Sequence, residues 1–213
     1  MPTRAESPAA PLSSHDRILG SAKQLFATHG YENTSTAAIA RRAGTSESQL
    51  MKHFGNKEGL LEAIFDDAWK RINAAAREAR SAAQDPARKL ETLVGLMLAA
   101  FERDPELKLL MLLEGRRIRK EGHLVMLTDG FRQFVGTVDS ILREMRDAGQ
   151  LRSDLPVDAV RSALMGAFEG LLRDQLLARR LGFPARYSGK DIRAIFAAVL
   201  GGVGPVRGGR RRP

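Results

Sequence analysis

The stretch Ser46-Glu-Ser-Gln-Leu-Met-Lys-His53 gathers side chains that can hydrogen-bond to another molecule onto a few consecutive residues. A glutamine can read an adenine edge through two parallel hydrogen bonds, and a lysine can reach a guanine edge or a phosphate. If the stretch is helical, Glu47, Ser48, Gln49 and Lys52 are the positions free to meet bases or phosphates, because Leu50 and Phe54 must face inward. That chemistry needs an element to carry it into a groove. Residues 36–54 supply one, since they read as two short helices joined by a tight turn, the arrangement that sets a helix in the DNA major groove. Ala40 is small where the helices cross, and Gly44 can adopt the positive φ of the turn. Leu50 then packs the second helix onto the first. Ser46 with Gln49 forms a capping box that starts this helix sharply.

The flanks continue the pattern. From Arg17 to Tyr31, Ile18, Ala22, Leu25 and Phe26 fall on one helical face, and Gly30 ends that helix. Thr34 or Ser35 caps the next one. After Phe54, a new helix opens at Asn56 with Lys57 in its first turn. A cation there opposes the helix dipole, so an anion such as a DNA phosphate is expected to compensate it.

Taken together, the run Ala-x-x-Leu-Phe-Ala-x-x-Gly-Tyr (Ala22 to Tyr31), Thr34-Ser35, Ile39-Ala40, Ala43-Gly44, Ser46, Leu50, His53-Phe54 and Lys57-Glu58-x-Leu-Leu61 closely resemble the tetracycline-repressor (TetR) family of transcriptional regulators. The resemblance runs from Arg17 to about Ala63. It implies a DNA-reading unit that works as a homodimer, with Thr34, Ser46, His53 and Lys57 as contacts to the DNA backbone and Ser35 in the same DNA-binding set. Two positions depart from the family pattern. Met51 stands where a tyrosine usually touches the backbone, and Glu47 stands where a basic or small residue is common. Weaker phosphate affinity or altered groove contacts are the expected consequence.

Composition agrees with a polyanionic partner. The chain has 34 Lys and Arg against 25 Asp and Glu, a formal charge of +9, and a pI near 10.4. The first 57 residues and the last eight carry most of that excess. No apolar run approaches a membrane span, and the N-terminus lacks the apolar core of a secretory signal. With no cysteine, disulfides, thiolate metal sites and cysteine nucleophiles are excluded, and a cytoplasmic location is expected. Enzyme chemistry finds little footing. His15, His29, His53 and His123 are scattered, none at the spacing of a helical zinc site, and no phosphate-cradling glycine loop occurs. No enzyme activity, cofactor or metal is expected.

The remainder is read as helical. Asp85-Pro86 and Asp104-Pro105 each place a capping side chain before a proline suited to the first turn, and Ser188 with Asp191 marks another start. Apolar stripes at helical spacing follow each of them, and residues 107–113 are apolar nearly all round, as in a helix buried among neighbours. The expected fold is all-α with about nine helices. Three belong to an N-terminal helix-turn-helix unit over 14–56; a connector from about 57 to 83 and five more form an effector and dimerisation domain over 57–200. Residues 1–13 are expected to be a disordered arm and 201–213 a disordered basic tail.

Within the larger part, Phe65, Trp69, Met97, Phe101, Met111, Phe131, Phe134 and Phe168 come from separate helices that are expected to converge on an apolar pocket. Glu114, in a strongly apolar setting, is expected to orient a small ligand there, or else to form an ion pair with Arg116, Arg117 or Arg173. Glu169 is read the same way. Plain core packing is the alternative for the aromatic and methionine stripe. Segments 156–181 and 188–200 are expected to pair across a two-fold axis, with Phe168, Leu172, Ile195 and Phe196 at or near the interface. The reading is a repressor released from its operator by a small apolar effector. A non-specific architectural DNA-binding protein and a helical small-molecule or lipid carrier stay open beside it.

Overall fold

The structure, a computed structural model, describes residues 12–204 apart from 116, 118–124 and 126. Most of the expected arm and tail, together with Arg116 and His123, therefore lie outside the described residues. Nine helices and no strand occur among the described residues, so the fold is all-α. They are α1 (Ser14–His29), α2 (Thr36–Arg42), α3 (Glu47–Phe54), α4 (Lys57–Ala82), α5 (Pro86–Arg103), α6 (Pro105–Leu113), α7 (Asp129–Asp147), α8 (Val157–Leu181) and α9 (Gly189–Gly202). None of the described helices is long and apolar enough to cross a membrane. Two compact units divide between Ile64 and Phe65.

The N-terminal unit is built on a small apolar centre. Ile18, Ala22 and Phe26 of α1 bury against Ile39 and Ala40 of α2 and Leu50 of α3. Each start is fixed by a side chain that satisfies an orphan amide. Ser13 accepts from Asp16 N, Ser35 from Ala38 N, and Ser46 from Gln49 N, each at 3.1 Å. Only this half of the expected capping box forms at α3, where Ser46 accepts but the Gln49 side chain does not return the bond. Asn56 caps α4 by accepting from Gly59 N at 2.7 Å. Gly44 has φ +63°, which lets Thr45 N bond back to Ala40 O at 3.0 Å and turns the chain from α2 into α3.

In the larger unit, α5 lies against α6, α7 and α9, while α8 packs on α6 and α7. Asp85 and Asp104 cap α5 and α6, each followed by proline in the first turn. At α9 both halves of a capping box form between Ser188 and Asp191. That helix runs to Gly202, two residues into the segment expected as tail. α7 approaches α4 so closely that a Cβ on Gly130 would stand 2.6 Å from Trp69 Cβ, a crossing only glycine permits. Polar links tie the helices together. Glu144 of α7 accepts from Lys89 of α5 and Arg80 of α4, both at 2.7 Å, and Arg161 of α8 grips both oxygens of Asp139 at 3.0 and 2.8 Å.

Candidate nucleic-acid interface and apolar cavity

The outer face of α3 is where sequence reasoning placed it. Ser48, Gln49 and Lys52 are exposed, and Lys52 lies one turn on from both Ser48 (i, i+4) and Gln49 (i, i+3), so it neighbours each of them. Leu50 is fully buried beneath them. Met51 joins that surface at 43% exposure, an apolar side chain where the family pattern puts a hydrogen-bonding one. Glu47 is also exposed, but it accepts a hydrogen bond from the Thr36 hydroxyl. Its carboxylate thereby pins the first turn of α3 to the first turn of α2.

Three residues expected to touch the DNA backbone are held by the protein itself. Thr34 is only 3% exposed, and its hydroxyl donates to Gly30 O at 2.8 Å and reaches Leu25 O at 3.3 Å. Its side chain belongs to the frame of the α1–α2 loop. Lys57 is held likewise. Its ammonium donates to Tyr31 O at 3.0 Å, Thr34 O at 3.2 Å and Glu32 O at 3.4 Å, and it lies 4.4 Å from the Tyr31 ring centroid. Three carbonyl dipoles and an aromatic face compensate the cation that a phosphate was expected to neutralise. His53 is exposed, but Nε2 lies 3.3 Å from Ser14 Oγ and its ring sits 5.8 Å from that of His15. The end of α3 is thus docked on the start of α1. Ser35 and Ser46 are spent as caps yet remain exposed at the N-termini of α2 and α3.

Arg17 is a positioning residue that sequence reasoning missed. It donates from Nε to Ala43 O at 3.0 Å, holding the end of α2 just before the turn. Nothing in its local sequence announces a partner 26 residues away.

The larger unit contains a partly open apolar cavity of about 110 Å³. Seven of the nine expected residues line it: Trp69, Met97, Phe101, Met111, Phe131, Phe134 and Phe168. Their rings form two clusters. Trp69 lies 5.3 Å from Phe131 and 5.0 Å from Phe134; Phe168 lies 6.4 Å from Phe101 and 5.7 Å from Phe196. Two expectations are corrected. Phe65 is fully buried in packing and does not reach the cavity. Glu114 lies off the wall and pairs with Arg117 at 3.3 Å, the structural ion pair named as its alternative. Glu169 is the carboxylate that does line the cavity, joined by Met165. Met165 was missed, although it lies three residues before Phe168, where a helix brings side chains onto one face.

Of the four residues expected at a dimer interface, Phe168, Leu172 and Phe196 turn inward and line the cavity. Ile195 alone faces outward, at 40% exposure, with Val199 beside it at 39%.

Residues 18–64 match the family model described as bacterial regulatory proteins, tetR family. Over 159 residues, 71% of this chain and 77% of its relative, the sequence is 30% identical to the nucleoid occlusion factor SlmA of Vibrio cholerae. The fatty acid degradation regulator FadR from Bacillus halodurans superposes with a TM-score of 0.78 at 23% identity, over 88% of this chain and 98% of that one. FadR from Bacillus subtilis, solved in complex with stearoyl-CoA, superposes at 0.77 with 19% identity, over 87% and 97% of the two chains. The two structures speak for the fold, the curated relative for descent. This chain belongs to the TetR family of DNA-binding transcriptional regulators, which are not enzymes.

Proposed function

We propose that this protein is a ligand-responsive repressor in which residues 14–56 read an operator and residues 57–200 bind a small apolar effector and form a homodimer. The observation that carries the reading is the exposed Ser48-Gln49-Lys52 face on a helix that is capped at its start and held at both ends. A recognition surface must be rigid to discriminate, and the side chains that hold this one are distinct from those that stand free on it. Gln49 and Lys52 supply base readout, while Ser35, Ser46, Ser48 and Met51 make the remaining approach to the duplex. A protein that reads chromosomal DNA works in the cytoplasm.

The dimer reading rests on the outer faces of α8 and α9. Ile195 and Val199 stand exposed on α9 beside Ala194 and Ala198, and α8 presents Ala159, Ala163, Gly166 and Ala167 to solvent. Small residues let helices approach closely, and an apolar outer face favours self-association. Two copies set two recognition helices at the fixed spacing that paired half-sites require.

The effector reading rests on the cavity. Its size suits a body of about one ring, the scale at which an apolar void is known to take benzene, and is small for a long acyl chain. Trp69 and Lys57 lie on the same helix, α4. A ligand against Trp69 would bias the position of α4, and Lys57 would pass that bias to the α1–α2 loop it clamps.

The test is selection of duplexes from a random pool at fixed salt. The wild-type chain should enrich a two-fold symmetric site. Gln49→Ala with Lys52→Ala should keep the fold but lose that preference, since each specific base contact is worth about 1–3 kcal/mol. An operator-to-random affinity ratio that survives the double substitution removes α3 as the reading element. Equal affinity of the wild type for every duplex points instead to a non-specific architectural role.

A further inference from the structure

Seen down its axis, α3 has two unlike edges. An α-helix turns about 100° per residue, so Ser48 and Lys52 point nearly opposite to Leu50, which is fully buried. Gln49 and His53 stand along one edge, and Glu47 and Met51, one turn apart, stand along the other. Both residues of the second edge are exposed, Met51 to 43%. The first edge carries hydrogen-bonding groups that suit a phosphate or a base. The second suits no phosphate. A carboxylate repels one, and a thioether has no N–H or O–H to offer it. Pressing an apolar side chain against a phosphate would only strip it of water.

Resting on the reading of α3 as the helix that enters an operator, we propose that the Glu47–Met51 edge lies over base edges instead of the DNA backbone, and that Met51 reads thymine by packing on its C5 methyl group. That methyl is the apolar feature the base edges present in the major groove. An unbranched, flexible thioether can fit itself to such a small apolar target. Gln49 and Met51 then read from opposite sides of one face, the first by hydrogen bonds and the second by burial. The Glu47 carboxylate is held by the Thr36 hydroxyl, and Met51 O accepts from Gly55 N at 2.8 Å. The edge is thereby fixed through groups other than the Met51 side chain, which is left to set specificity.

Contact with a deoxyribose is the competing account. Its carbons are apolar too, but packing on them is blind to sequence. The two accounts part when the methyl alone is removed.

The experiment uses the full-length protein and the duplex it selects from a random pool. Each thymine of a half-site is replaced in turn by deoxyuridine, which removes the methyl and leaves the hydrogen-bonding edge unchanged. The wild type should lose about fourfold in affinity at one thymine of each half-site, the worth of one buried methyl-sized group. Met51→Ala should bind the thymine and uracil duplexes alike, which ties the loss to this side chain and not to altered DNA shape. Met51→Leu should keep the sensitivity and Met51→Gln, of similar length but polar, should lose it, so the outcome does not hang on one variant folding. A selected site in which no thymine is sensitive, or a sensitivity that survives in Met51→Ala, overturns the methyl contact and leaves the reading of α3 standing. Equal weakening of both duplexes by Met51→Ala assigns the side chain to the sugar and overturns it as well. If the wild type selects no site, the reading of α3 falls and the methyl contact falls with it.

Discussion

Replacing Lys57 with methionine separates two roles that one lysine could play. In the structure its ammonium is held by the carbonyls of Tyr31, Thr34 and Glu32 at 3.0, 3.2 and 3.4 Å and by the Tyr31 ring at 4.4 Å. Methionine keeps much of the apolar stem and removes the cation. Hydrogen bonds from a charged donor are worth about 1.5–3 kcal/mol each, and a partly exposed cation–π contact about 0.5–1 kcal/mol. These do not add here. One bond is long, Lys57 is half-buried, and Tyr31 O keeps the Thr34 N–H at 3.3 Å when the lysine is gone. A net loss of about 2 kcal/mol is expected, lowering a urea midpoint by about 1 M. The assay pairs urea unfolding, followed by circular dichroism, with operator affinity measured across salt concentrations. A phosphate contact contributes about 0.9 to the slope of log affinity against log salt. The clamp predicts lower stability with that slope unchanged. An unchanged midpoint with a slope shallower by about one unit would refute the clamp and return Lys57 to the DNA.

Gly130→Ala would drive a methyl into Trp69 Cβ, 2.6 Å away, so α4 and α7 must separate; a loss of about 1–3 kcal/mol is expected in thermal or urea unfolding, and an unaffected midpoint would show the crossing to be pliable. Glu144→Gln should destabilise the larger unit by about 1–2 kcal/mol at neutral pH, through weaker bonds to Lys89 and Arg80. The Lys89 hydrogen bond, helped by the nearby charges, holds the Glu144 carboxyl below its ordinary value of 4.5. Its stabilisation is therefore complete above that value and lost as pH falls through the lower folded one, so the gap between wild type and variant should close in that acidic window; a gap constant from pH 7 to pH 3 would rule the carboxylate out as its source. Ile195→Glu with Val199→Glu, on exposed positions of α9, should halve the mass seen by light scattering at micromolar concentration without unfolding the chain; a wild type that is already monomeric, or a variant that stays dimeric, removes this face from the interface.

Much of the architecture follows from sequence-local physics. Capping and turning depend on residues three to five apart, so Ser46 at the start of α3, Asp85-Pro86 at α5, Ser188 with Asp191 at α9 and Gly44 between α2 and α3 all act where their spacing indicates. Burial at helical spacing is equally local, which is why Leu50 and most of the aromatic and methionine stripe turn inward as read. Allocation of long polar side chains is not local. Whether Lys57 meets a phosphate or a loop carbonyl depends on Tyr31 and Thr34, 26 and 23 residues earlier in the chain. Glu114 and Glu169 sit in similar apolar contexts, yet one pairs with Arg117 and the other lines the cavity, because only the packing of α6 against α8 decides which carboxylate lies at the wall. The sequence by itself determined the helices, their ends and their buried faces, through hydrogen bonds and hydrophobic periodicity within a few residues. Tertiary structure alone decided which polar groups were consumed in holding the frame and which, like Gln49 and Lys52, stand exposed on the outer face of α3, since a side chain's partner is set by whatever the fold brings within about 3 Å of it.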